Sequence, residues 1–200
     1  AEFQSVLEAL CADLFVVVAF RMLPVAVWSM PSKGTIILHG SLLPDYRGAA
    51  PINRAIMNGE AETGLTTFFI NENIDTGAII DSVTCEIGAN ETAGELHDKM
   101  MELGAGLLVN TVRDIEKGDA ASIVQSESAE LKMAPKIFKE DCQIFWNQPA
   151  KVIHDHIRGL SPYPAAFSMV SGGDFDRVKI FRTEITARHS GANPGGIEFS

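Results

Sequence analysis

The chain has no apolar run longer than the seven residues Leu14–Phe20. A membrane-crossing helix needs about 20 consecutive apolar residues, so none is predicted. Cysteine is scarce. Cys11, Cys85 and Cys142 are odd in number, far apart and free of any CxxC or Cys/His cluster. That pattern gives no support to a disulfide framework or a zinc site, and reduced thiols in a cytoplasmic protein are the expectation. GxGxxG, P-loop and GxSxG motifs are all missing, and with them the common signatures of dinucleotide, nucleoside-triphosphate and serine-hydrolase chemistry. The opening residues Ala1-Glu2-Phe3-Gln4 contain no initiator Met and no basic n-region of a signal peptide.

Positive charge is also short. The net charge of −10 argues against a surface that coats nucleic acid. The deficit is uneven, because residues 149–200 carry six Lys/Arg against five Asp/Glu, while residues 1–148 carry ten against 21. A local contact to an RNA backbone therefore stays open for the tail. His154 and His156 stand two apart on a predicted helix and do not share a face, so no metal site is expected there.

What is present is an alternation of helices with apolar strands, the mark of an α/β fold with a mostly parallel sheet. Residues 4–12 read as a helix with Val6, Leu7, Leu10 and Cys11 on one face. The stretch from Asp13 to Phe20 holds the continuous apolar run Leu14–Phe20, as in a strand buried on both faces. A short helix begins at Pro24, a strand covers residues 35–38, and a helix follows from Ala50 to Asn58. Two further strands span residues 66–70 and 78–87, joined by Asn71–Gly77. The clearest helix covers residues 93–116, opened by the capping box Thr92-x-x-Glu95 and closed at Lys117-Gly118. Periodicity fades from Asp119 to Gln148, which reads as a polar linker. A short helix at residues 150–160 and β-type segments then begin a second, β-rich unit. The predicted division is 1–119, 120–148 and 149–200.

Two residues stand where chemistry is expected. His39 ends a strand, and ligands of open α/β sheets bind beyond the carboxyl ends of strands. Asp75 opens the turn Asp75-Thr76-Gly77. Each also has a plain structural reading, as a satisfied histidine and as an Asx-type turn. Together they make an acid/base pair, because a carboxylate beside an imidazole favours the protonated ring. Arg47 offers a planar fork of donors suited to a phosphate or carboxylate of a substrate, or alternatively to a surface ion pair.

Four blocks carry a resemblance. They are residues 13–20; His39-Gly40-Ser41-Leu42-Leu43-Pro44 through Pro51; Glu62-Thr63-Gly64 through Asp75-Thr76-Gly77; and Ala134-Pro135-Lys136-Ile137 with Ile157 to Pro164. In order and spacing they resemble the folate-dependent formyltransferases, and within these the branch that formylates methionyl initiator tRNA. The resemblance implies a Rossmann-like formyltransferase domain, a linker and the start of an OB-like, tRNA-binding C-terminal domain. It implies 10-formyltetrahydrofolate as formyl donor, methionyl initiator tRNA as acceptor, no metal, and a cytoplasmic enzyme that is a monomer when complete. Family members begin with a strand, Gly-rich turn and helix ahead of the segment matching Ala1. The chain thus reads as a fragment lacking both ends.

The same resemblance assigns roles. His39 would protonate the leaving folate nitrogen or relay the amine's proton, and Asp75 would hold His39 charged and oriented. Phe20, Arg21, Met22 and Leu23, with Ser41, Leu42, Leu43 and Pro44, match positions lining the folate pocket. The family's catalytic Asn falls at Ile37, which cannot donate a hydrogen bond to a developing oxyanion. Losing such a donor typically costs about 10²–10³ in rate. Two alternatives follow: a formyltransferase for a small amine such as a sugar nucleotide or glycinamide ribonucleotide, and a catalytically silent folate- or tRNA-binding homologue.

Overall fold

The computed structural model describes residues 2–18, 23–127, 130–171, 176–187, 191 and 193–196. Helix α1 (Glu2–Ala9) leads to strand β1 (Phe15–Val18), the short helix α2 (Val25–Trp28), strand β2 (Thr35–His39) and the two-residue strand β3 (Arg47–Gly48). Helix α3 (Pro51–Met57), strands β4 (Glu62–Phe69) and β5 (Ile79–Glu86) and helix α4 (Ala93–Lys117) follow. The remainder comprises β6 (Met133–Ala134), a 3₁₀ turn at Glu140–Cys142, α5 (Ala150–Leu160), β7 (Ala166–Met169) and β8 (Arg177–Ile180). No helix among the described residues is long and apolar enough to cross a membrane.

The central sheet has the order β1-β2-β4-β5. β1 runs parallel to β2, whereas β2/β4 and β4/β5 are antiparallel. The parallel half matches the expected α/β pattern. Chain length accounts for the antiparallel β4/β5 pair, because the connection 70–78 is too short for the crossover a parallel pair needs. A β-bulge at Thr67/Phe68 interrupts the β4/β5 ladder just before this connection, a device that re-aims the chain.

β1 differs from its expected burial on both faces, since Val16 is 43% and Val18 56% exposed. Its place at the edge of the described sheet leaves it one strand neighbour instead of two. The expected apolar face of α1 is likewise open, with Val6 57% and Leu10 65% exposed.

α4 covers one face of the sheet. Leu96, Met100 and Leu107 are buried with Leu65, Ala93 and Cys85, and Leu38 packs against them. Side chains alternate along a strand, so Ile36 and Leu38 face α4 while Ile37 and His39 take the other face. Thr67 of β4 meets Thr111 of α4 through their hydroxyls at 2.9 Å, placing Thr67 on the α4 side too.

The polar linker is more ordered than its sequence suggests. Ile123 bridges to Ile79, Gln125 is buried, Ala134 is fully buried, and β6 pairs in parallel with β3. Each contact comes from one residue of extended chain, which leaves no periodic trace. A second cluster, with Ile157, Leu160, Cys142, Ile144 and Ala166, anchors α5. The Asn53 amide donates to the Gly159 carbonyl at 2.7 Å, and a side chain at Gly159 would meet Met57 and the Asn53 carbonyl. α5 thereby docks on α3.

Candidate acid–base site

His39 ends β2 and is 8% exposed. Its Nε2 lies 2.9 Å from the Tyr46 carbonyl oxygen. A carbonyl only accepts, so Nε2 carries the hydrogen, a tautomer assigned from its partner. Nδ1 lies 3.7 Å from Asp75 Oδ2. Both ring nitrogens thus face oxygen atoms of the protein. The Phe68 ring stands edge-on to the imidazole at 6.4 Å.

Asp75 is held from several sides. Its Oδ2 accepts the Gly48 N–H at 2.8 Å. Its backbone sits at φ +54, in the left-handed region that costs most residues energy. Gln125 donates to the Asp75 carbonyl at 3.0 Å and to that of Gly77 at 2.8 Å. A Cβ at Gly77 would collide with the Phe69 carbonyl, so only glycine lets the turn close there.

The loop between β2 and α3 is shaped by its own polar groups. The Ser41 hydroxyl donates to the Asp45 carbonyl at 2.6 Å. Thr66 donates to the Ser41 carbonyl at 2.7 Å and accepts the Leu43 N–H at 3.1 Å. Tyr46 adopts φ +60, which turns its carbonyl toward His39. Its phenol donates to Glu60 at 2.6 Å, while Lys132 reaches Glu60 and lies 6.0 Å above the Tyr46 ring. Burial first, then the Glu60 carboxylate, push the Tyr46 phenol well above its usual range. The Glu60 carboxyl is held low: burial works against this, but bonds from Lys132 and Tyr46 outweigh it.

The other sequence-predicted residues divide. Ile37 is half-buried on the His39 face, paired with Val17 and Phe68, and its side chain offers no donor. Leu23, Leu42 and Pro44 are half-buried, whereas Ser41 and Leu43 are buried within the loop. Phe20, Arg21 and Met22 lie outside the described residues. Arg47 is not the open clamp that a free guanidinium would make. It is 9% exposed, and its Nε and Nη2 donate to Gln125 Oε1 at 3.0 and 2.6 Å. The parts of Tyr46, Gly48 and Gln125 in the site were not assigned from the sequence, although Gly48 with Ser41, Pro44 and Arg47 marks a loop with specific backbone demands. The first two lie inside the punctuated loop, where a tight turn was the available signal; Gln125 carries no signal of its own.

Among the described residues, no group of three or more His, Cys, Asp or Glu is placed to hold a metal. A groove of about 790 Å³ lies elsewhere, lined by Glu62, Glu86, Glu91, Glu95, Lys99 and Arg182 among others.

Residues 1–112 match the family model described as formyl transferase, and residues 136–199 that of the formyl transferase C-terminal domain. The chain is 52% identical over 201 residues to methionyl-tRNA formyltransferase of Bacteroides fragilis, covering 98% of this chain and 62% of that protein. The chain thus spans under two thirds of that relative's length. Among solved structures, a 4-N formyltransferase from Francisella tularensis superposes with a TM-score of 0.72 at 22% identity, over 86% of this chain and 72% of that one. HypX from Aquifex aeolicus in complex with tetrahydrofolic acid gives 0.68 at 24% identity, over 79% of this chain and 27% of that one. At those identities the structures speak to fold alone, and the fold is that of the formyltransferases.

Proposed function

The chain belongs to the formyl transferase family, and we propose that it transfers a formyl group from 10-formyltetrahydrofolate to the amino group of methionine on initiator tRNA. The observation that carries this reading is the His39–Asp75 pair, 3.7 Å apart at the end of a sheet strand. The 52% identity to a methionyl-tRNA formyltransferase, running through both matched regions, supports the acceptor. In this reading residues 1–119 do the chemistry, 120–148 connect, and 149–200 contribute to holding the tRNA. The enzyme is cytoplasmic, monomeric and needs no metal.

The folate fits the residues present. Leu23, Leu42 and Pro44 keep apolar surface that the protein does not cover, as a flat heterocycle requires. Ser41 and Leu43 hold the loop beneath them. The folate supplies a formyl group already activated for transfer to an amine.

His39 handles the proton. Nε2–H is tied to the Tyr46 carbonyl, so Nδ1 is the nitrogen that takes up and hands over a proton. Asp75 faces that nitrogen and stabilises the charged ring. Its carboxylate is kept in place by the Gly48 N–H. Negative charge also develops on the formyl oxygen during transfer, and a fixed donor there is usually the largest single aid. Ile37 occupies the family's Asn position and supplies none. The chain should therefore be a slow catalyst. That same residue favours the second reading, a homologue that binds folate or tRNA without transferring.

The test is direct: the full chain with 10-formyltetrahydrofolate and methionyl initiator tRNA, scored for formylmethionyl-tRNA above the protein-free rate. Slow, His39-dependent transfer is expected. Folate binding with no transfer sinks the catalytic reading, and transfer to an amino sugar nucleotide alone sinks the acceptor.

A further inference from the structure

We infer that Gln125 is a positioning residue for this site: it seats the Asp75 turn so that the carboxylate faces His39. The catalytic meaning rests on the formyl-transfer reading; the geometry does not.

Gln125 is 8% exposed and lies in the segment between the two family-matched regions. A primary amide offers two hydrogens and two lone pairs. Here all four are used. Oε1 accepts both Arg47 hydrogens, at 3.0 and 2.6 Å. Nε2 donates to the carbonyls of Asp75 and Gly77, at 3.0 and 2.8 Å. The guanidinium on one side and the carbonyls on the other fix which way the amide points. A carboxylate in this place would lack the donors, and an amine the acceptors.

The position matters because the turn's internal bonds, from Thr76 to Asn71 and Asn73, do not reach Asp75. Ile74, beside Asp75, is 61% exposed. Asp75 itself sits at φ +54, a conformation that persists only where surrounding contacts impose it. Gln125 bonds the carbonyl of that residue. Through Arg47 it also grips the strand carrying Gly48, whose N–H holds the Asp75 carboxylate at 2.8 Å. One side chain therefore clamps both halves of the Asp75–Gly48 contact. β6 completes the arrangement by pairing with Arg47 and Gly48. The joining segment is thus built into the catalytic site.

The experiment follows amide hydrogen exchange by NMR in the full chain. Gln125→Met removes all four bonds with little change of size. Gln125→Glu keeps an acceptor for Arg47 but replaces the donors to the turn with a carboxylate oxygen that faces the Asp75 and Gly77 carbonyls. In both, the Gly48 amide is expected to exchange about tenfold faster or more, as a lost charge-assisted bond implies. The Leu96 amide, bonded to the Thr92 carbonyl in α4, should not change. Asp75→Ala alone should expose Gly48 equally, and adding Gln125→Met to it should add nothing. Unchanged Gly48 protection in Gln125→Glu overturns the proposal. So does equal acceleration at Leu96, or a double variant whose effects add. In the transfer assay the Gln125 variants should lower kcat with KM for the folate unchanged. If Gly48 responds as expected while the unmodified chain transfers nothing, the functional reading fails and the positioning role stands.

Discussion

The caps of α4 are built from sequence neighbours, and the long-range bonds at its ends, from Lys33 to the Ile115 and Glu116 carbonyls and from the Gly94 N–H to the Ser161 carbonyl, only add to them. Thr92 and Glu95 cap one end reciprocally, and Gly118 closes the other in the left-handed conformation. The Thr92 N–H, then Arg182, hold the Glu95 carboxyl down to about 2. The His39–Asp75 site is the opposite case. His39, Tyr46, Gly48, Asp75 and Gln125 come from separate strands and turns, and single side-chain-to-backbone bonds join them. The helix can lose one bond and fray locally. The site shares its members, so a loss at one point displaces the others.

Four substitutions press on that contrast, beginning with the largest effect. His39→Gln, measured in an Ile37→Asn background, should lower the transfer rate by about 10²–10⁴, the usual worth of a positioned proton carrier. A loss below tenfold would remove His39 from the chemistry. Gly77→Ala forces a Cβ into the Phe69 carbonyl and should destabilise the fold by about 3 kcal/mol, read from chemical denaturation. If the site were as locally built as the helix, this change would cost far less. Thr92→Ala removes the helix cap and should cost about 1 kcal/mol, with the transfer rate unaltered. A matching fall in rate would show that helix and site are not separable.

The smallest effect is one of pH. In α5, His156 Nε2 is buried without a hydrogen-bond partner among the described residues. Burial lowers its pKa below the usual 6.5, against backbone bonds at Cys142 and Gln143 that favour the charged ring. The unfolded chain therefore takes up a proton more readily than the folded one. Stability should fall as pH drops below 6.5 and level off beneath the lowered value, by at most about 1.4 kcal/mol per pH unit. His156→Gln should flatten that slope in unfolding curves measured across the window. An unchanged slope would assign it to other groups.

The same contrast decides what the sequence made legible. α4 announced itself through its capping box Thr92-x-x-Glu95 and its close at Gly118, because local structure leaves local patterns. His39 and Asp75 were visible through their strand-end and turn contexts, and the resemblance pointed to Ile37. Gln125 was not visible, since one polar residue in a non-periodic stretch looks like any other. Arg47 looked available for a ligand for the same reason: its partner is 78 positions away. The exposure of Val16 and Val18 could not be read either, because a strand's rank in the sheet depends on its neighbours and not on its own apolarity.

The central claim is that His39 and Asp75 form a working transfer site from which one oxyanion donor is missing at position 37. The measurement that meets it most directly compares the chain with Ile37→Asn. The assay is formyl transfer from 10-formyltetrahydrofolate to methionyl initiator tRNA under identical conditions. The account predicts a rate about 10²–10³ higher with Asn, the worth of one such donor. Equal rates in the two proteins would contradict it, because position 37 would then have no part in stabilising the transition state.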